Sequence, residues 1–238
     1  MRGILRHVAV WALAAGAAAG TAAGAEMEVP KDVQARLKRY ATRYYFVYTD
    51  LEADKVREAA ARLTAMAREY HERTKGFARP IRSRLPFFLF SQRDDYHRCG
   101  GPPGSAGVFA GDRLMAIAGD ERGDGLWGTL QHEGFHQFAW YCISKRLPIW
   151  VNEGLAEYFG SAIWTGDGFV AGLVPPGRLK ALRELIEAGA IMPFLEMLQM
   201  DHQAWNAALS ARNYTQAWSM VHFLVHAEDG KYRAAFSG

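Results

Sequence analysis

An α+β fold is what this sequence predicts, with short strands in its first half and helices through its second. Three observations carry that expectation. Residues 44–48 (YYFVY) and 85–90 (LPFFLF) are compact runs of aromatic and aliphatic β-formers, of strand rather than helix length. Residues 108–110 and 114–118 are two further apolar runs set around Gly111-Asp112, the pattern of a hairpin. Beyond residue 124 the apolar residues recur at three- and four-residue spacing instead, which is the period of helices.

The elements follow in order. Residues 1–25 carry Arg2 and Arg6, then an apolar Ala/Gly-rich stretch over 8–19, then Ala23-Gly24-Ala25. These are the three regions of a secretory signal peptide with an A-x-A cleavage site, and they predict export to the periplasm or the medium. The apolar stretch is short and interrupted by glycine, which favours cleavage over a membrane anchor. No later segment is apolar for long enough to span a bilayer, so no stable membrane insertion is expected after cleavage.

Residues 26–43 read as a polar lead-in, a solvated helix face followed by the first strand. A single domain is expected over 44–238. Thr49 and Glu52 have the spacing of a capping box, and a helix should follow to about residue 73. Its stripe is Val56, Ala60, Leu63, Met66 or Ala67, and Tyr70, and Lys75-Gly76 stops it. LPFFLF is apolar at every position and is expected near the centre of a sheet, with Pro86 tolerated only at a strand start. A short helix is expected over 91–97 and a Gly/Pro loop over 100–107.

From Asp124, read as an N-cap, a strongly apolar helix should run to about residue 144. A second should take residues 150–163, a third residues 179–188, a short one should follow Pro193, and a last one should span 214–226. The chain stops soon after that helix without a clear ending, the pattern of a fragment.

Composition narrows the function. Half of the 238 residues are hydrophobic and 22% are charged, a globular balance with ample material for a core. The net charge is +3, and without residues 1–25 there remain 26 basic against 25 acidic residues, no basic excess of the kind nucleic-acid binding needs. The two cysteines, Cys99 and Cys142, lack C-x-x-C partners, which argues against a thiolate metal site. In an oxidising compartment they have the option of pairing with each other or staying as free thiols.

The chemistry concentrates in two runs. His132-Glu133-Gly134-Phe135-His136 reads H-E-x-x-H. On a helix, positions i and i+4 share one face, so His132 and His136 can hold one metal ion, and Glu133 beside them can take a proton from a water that the ion activates. Seventeen positions after His136 stands Glu153, the second residue of N-E-G-L-A-E, and Glu157 follows one turn later. His, His and Glu with an open position is a catalytic zinc set, so one Zn²⁺ per chain is expected. Asn152 and Glu157 are candidates for support around it, with Glu157 accepting from a histidine nitrogen that the metal leaves free. A second histidine pair, His222 and His226, has the same spacing but no acid between, and reads as core or surface histidines.

With these residues in place, the sequence resembles the glutamate-zincins, metallopeptidases whose third zinc ligand is a glutamate on the following helix. It is most similar to the peptidase-MA-like domains of bacterial exported proteins. The residues that carry the likeness are His132, Glu133, His136 and Gln137, then Trp150, Glu153, Gly154, Ala156, Glu157, Tyr158 and Phe159. It covers roughly residues 44–227. It implies a thermolysin-like catalytic core: a small mixed sheet with an edge strand over the two-helix zinc site, and a helical C-terminal part. The hairpin strand 114–118 is the natural candidate for that edge, where a peptide would add as an extra strand.

Two departures matter. The G-x-M-E-N motif of the aminopeptidase branch is absent, since Ala116 and Ile117 follow Met115. Ala139 and Cys142 stand where the metzincin extension needs Gly and His. Relatives place a tyrosine after the third ligand to stabilise an oxyanion, and Tyr214 resembles it.

The expectation is therefore a zinc metallopeptidase acting on a peptide or protein. Glu133 would be the general base, Tyr214 the oxyanion donor, and His132, His136 and Glu153 the metal ligands. The alternative is a zinc-stabilised peptide-binding or scaffolding domain with little turnover, and a third option is hydrolysis of a non-peptide amide or ester.

Overall fold

The structure, a computed structural model, describes residues 29–118, 125–208 and 210–237. Residues 1–25, where a signal peptide is expected, lie outside the described residues, as do Asp124 and Gly238. Among those described, the architecture is a mixed α+β one: a five-stranded sheet in the first half, helices in the second.

The sheet forms from β1 (Lys38–Ala41), β2 (Tyr45–Thr49), β3 (Leu85–Phe90), β4 (Gly107–Ala110) and β5 (Arg113–Ile117), in the order β1-β2-β3-β5-β4. The outer pairs are antiparallel and the inner pairs, β2 with β3 and β3 with β5, are parallel. LPFFLF is the central strand, as its apolar run predicts. The lead-in is more than an approach, because its residues 38–41 pair with β2 and make one edge of the sheet. The other edge corrects an expectation. Strand 114–118 is not the border: β5 sits between β3 and β4, and the free edge is β4. The turn Gly111-Asp112, with Gly111 at φ 64°, closes the hairpin, and because β5 is the strand that pairs with β3, the first strand of the hairpin is outermost.

Helix α1 (Lys31–Gln34) precedes the sheet, and α2 (Ala53–Thr74) crosses between β2 and β3. The capping box does not form. Thr49 remains in β2 and its hydroxyl accepts from the Leu51 amide, while Glu52 ends up flanking the helix without a side-chain bond. The buried stripe of α2 uses Ala59 rather than Ala60, beside Val56, Leu63, Met66, Ala67 and Tyr70. Val56, Ala59, Leu63 and Ala67 of that stripe pack with Tyr45, Val47, Leu85, Phe87, Leu89, Leu114 and Ala116 of the sheet, while Met66 and Tyr70 join the helical core. The opposite side is covered in part by α3 (Arg93–Arg98), whose Tyr96 packs with Phe90, Val108, Met115 and Ile117. Cys99 lies in that outer cluster and Cys142 in the helical core, so both are buried free thiols and the pairing option is not taken.

The helical half starts with α4 (Gly125–Phe138), which widens into a π turn at Ala139–Ile143, so that the helical stretch ends at about residue 144 as expected. Helix α5 (Ile149–Gly160) packs on it, ending earlier than expected because residues 163–164 pair with 169–170 as the small hairpin β6 (Ile163–Trp164) and β7 (Phe169–Val170). Then come α6 (Pro176–Glu187), α7 (Phe194–Gln199), α8 (His202–Ala208) and α9 (Ala211–His226). A 3-10 turn at Ala227–Gly230 leads to α10 (Arg233–Ser237). Sequence periodicity gives no sign of α8, which is only about two turns long.

Helices α4, α5 and α9 share a core of Phe135, Phe138, Leu155, Phe159, Ala217, Trp218 and Val221. Gly154 sets how closely α5 meets α9. A Cβ there would stand 2.6 Å from the Ala217 carbonyl oxygen and 2.7 Å from Val221. No residue but glycine fits, and the contact brings Glu153, next door in sequence, to a fixed height over α4.

Candidate metal centre

His132 and His136 lie one turn apart on α4, and both imidazoles are about one-tenth exposed. Glu153 reaches them from α5. The Nε2 atoms of the two histidines are 3.1 Å apart, and Glu153 Oε2 lies 3.4 Å from His132 Nε2 and 3.5 Å from His136 Nε2. Three donor atoms therefore form a near-equilateral triangle. Tetrahedral ligands at the ~2.0–2.1 Å distance of zinc–nitrogen and zinc–oxygen bonds stand about 3.3–3.4 Å from one another. The side chains are thus spaced as ligands to one such ion would be. Glu153 Oε2 is buried without a hydrogen-bond partner among the described residues, which is a costly state for a carboxylate oxygen unless a cation or proton meets it. These residues fit a metal ion, and they are the one such group found among the described residues.

Electrostatics agree with the packing. Burial lowers the His132 pKa, but Glu153 and Glu157 outweigh it and leave the imidazole well above its ordinary value. His136 is raised in the same way, burial opposed chiefly by Glu153. Burial raises Glu153, and the two histidines overcome it to hold that carboxyl at about 2. The site is a buried anion with two basic nitrogens turned toward one point, complementary to a divalent cation.

The surroundings hold these donor groups in place. His132 Nδ1 lies 3.3 Å from Glu157 Oε1, so the nitrogen not aimed at Glu153 is fixed by a carboxylate. The other oxygen of Glu157 accepts a very short bond from Arg178 on α6. That guanidinium also lies 5.4 Å over the Trp218 ring. Arg178 was not legible as part of the site: it is a lone basic residue on a helix, with nothing in its neighbours to mark it.

Asn152, the other candidate for support, is not brought into the network. Its Oδ1 is buried and makes no hydrogen bond among the described residues.

Glu133 is buried at 4% exposure, and its Oε2 accepts from the backbone N–H of Phe109 on the edge strand β4, at 2.9 Å. Tyr214 is in the first turn of α9, three residues inside rather than opening it, behind Ser210, whose hydroxyl caps the helix. Its hydroxyl is buried without a hydrogen-bond partner among the described residues. Burial first, and then the charges of Glu153, Glu157 and Glu133, push its pKa up, so the phenol stays protonated beside those carboxylates. Trp205 of α8 packs edge-on against its ring at 5.2 Å.

The second histidine pair is structural. His226 Nε2 lies 3.0 Å from the Tyr158 hydroxyl, and His222 Nε2 lies 3.0 Å from the Gly172 carbonyl. The rings lie 4.6 Å apart, tilted by 34°, and no acid completes a ligand set around them among the described residues.

Comparison with known proteins adds one match and one blank. No curated protein matches the chain. Residues 127–236 match a family model described as protein of unknown function (DUF1570), a span that opens on α4 and takes in both histidines, Glu133, Glu153, Glu157, Arg178 and Tyr214, while the sheet lies outside it.

Proposed function

We propose that this chain is a zinc-dependent metallopeptidase of the glutamate-zincin type, a peptidase-MA-like domain with a thermolysin-like core, exported by the signal peptide at residues 1–25. The observation that carries the reading is the donor triangle of His132, His136 and Glu153, with edges of 3.1, 3.4 and 3.5 Å, beside a buried Glu133. A bound Zn²⁺ would supply Lewis acidity toward a scissile carbonyl and acidify a water molecule.

The remaining work falls to the chain's own groups. Glu133 takes the proton of the attacking water and delivers it to the leaving amine. Tyr214, protonated and without a partner among the described residues, donates to the developing oxyanion. Glu157 fixes the tautomer of His132, and Arg178 holds Glu157. A peptide or protein is the expected substrate, lying along β4, the strand edge that borders α4.

The test is zinc content together with cleavage of a peptide library by the wild type and Glu133→Gln. Expected is one zinc per chain in both, with turnover lower by ~10²–10⁴-fold in the variant. Full activity in Glu133→Gln would sink the mechanism. One zinc per chain with no cleavage of any peptide would instead favour a zinc-stabilised binding domain.

A further inference from the structure

The hairpin register fixes which backbone groups of β4 look outward. Ala110 pairs with Arg113 across a two-residue turn, and the Ile117 amide donates to the Ala106 carbonyl. Backbone groups alternate in direction along a strand, so residues 106, 108 and 110 face β5 while Gly107 and Phe109 present theirs to the free edge. The Phe109 N–H is therefore an edge donor that the sheet does not use. It is spent on Glu133 Oε2 at 2.9 Å, inside a site where that carboxylate is 4% exposed.

We infer that the Phe109 backbone N–H is the group that positions Glu133 for catalysis, so that the edge strand orients the base as well as bordering the cleft. This rests on the proposed role of Glu133. A carboxylate that hangs from a helix by two methylenes can rotate about three torsions. One charge-assisted bond from a backbone that is itself held in the sheet removes most of that freedom. Oε2 is engaged, and Oε1 is then the oxygen that exchanges the proton with the reacting groups. The device needs no particular side chain at residue 109, which is why a motif search does not find it: the donor is peptide backbone, placed by a hairpin some two dozen positions earlier in the chain.

Phe109→Pro removes this one N–H. Proline is tolerated on an edge strand where the N–H side faces away from the ladder, so the sheet itself loses no hydrogen bond. Phe109→Ala keeps the N–H and reports what loss of the ring alone costs, including its edge contact with Trp140. With a quenched peptide library, kcat of Phe109→Pro is expected at about 10–10²-fold below that of Phe109→Ala, with KM within about twofold and zinc content unchanged, because the base is misplaced while ligands and cleft persist. Equal kcat in the two variants overturns the inference while leaving the role of Glu133 standing. A fully active Glu133→Gln removes the role of Glu133 itself.

A spectroscopic arm needs neither turnover nor a folded proline variant. In wild-type protein labelled with ¹⁵N-phenylalanine, the Phe109 amide proton is expected downfield of the other strand phenylalanines, as carboxylate acceptors produce. Glu133→Gln should move it upfield. A Phe109 amide that ignores Glu133→Gln overturns the inference whatever the kinetics show.

Discussion

Gly154→Ala tests the helix contact on which the site depends, and its sign is informative. On a free helix the change would help, since alanine is about 1 kcal/mol better than glycine in a helix interior. Here the new Cβ would sit 2.6 Å from the Ala217 carbonyl oxygen and 2.7 Å from Val221 Cγ2. Comfortable contact needs about 3.5 Å, so α5 and α9 must separate by roughly 0.5–1 Å, because the nearest obstacle is backbone and cannot rotate aside. Overpacking of this kind costs about 1–3 kcal/mol, and a clash with backbone belongs in the upper half of that range. Set against the propensity gain, the net loss is about 1–2 kcal/mol, a drop in Tm of about 2–8 °C for a chain of this size. Glu153 moves with its neighbour, so the donor triangle opens and zinc affinity should fall about tenfold, in the range seen when support around a metal ligand is lost. Thermal melts with chelator and with added zinc read both effects. A Tm that is unchanged or raised would refute the close contact between α5 and α9.

Three further outcomes are expected. Arg178→Met keeps the stem but releases Glu157, and through it His132, so zinc affinity should fall about 10–100-fold in a competition titration, with the melt of the metal-free protein moving much less. Tyr214→Phe deletes one hydroxyl from the site: kcat should drop about 10²–10³-fold with zinc content intact, and an unchanged kcat removes Tyr214 from the mechanism. The pH dependence follows from the site charges. His132 and His136 have raised folded pKa values, so their contribution to the metal-free protein is complete below about 6.5 and is lost as pH rises through those values. Glu153 is lowered to about 2, so its contribution is complete above about 4.3 and is lost as pH falls toward about 2. The metal-free site therefore stabilises most between about pH 4.3 and 6.5. Zinc needs the imidazoles deprotonated, so the rise in Tm that zinc produces should grow from pH 5.5 to pH 8, and an equal rise at both values would contradict the assignment.

The donor group of His132, His136 and Glu153 was legible because its chemistry is written in local spacing. His132 and His136 share a face on any helix, and only a residue type able to ligate at a plausible return distance was needed to suggest Glu153. Strands β2 and β3 and the hairpin were legible for a similar reason, being short apolar runs bounded by turn residues. The edge was not. Sequence gives the two strands of a hairpin but not which one the sheet accepts on its inner side, and here β5 took that place by pairing in parallel with β3. Nor was the failed capping box, because Thr49 has a competing use as the end of β2 that its neighbours alone do not reveal.

By itself, then, the sequence determined which chemical groups make up the candidate site: the two imidazoles of His132 and His136 and the carboxylates of Glu133 and Glu153, carried on helices whose periodicity is plain. Tertiary structure decided what holds these groups in position. The Arg178–Glu157–His132 chain, the close contact at Gly154 and the bond from Phe109 to Glu133 each join elements far apart in the chain. The physical reason is that ligation and helix formation depend on side-chain type and local spacing, whereas positioning depends on which backbone and which charge arrive from elsewhere. That is fixed only when the sheet order and the helix packing are fixed.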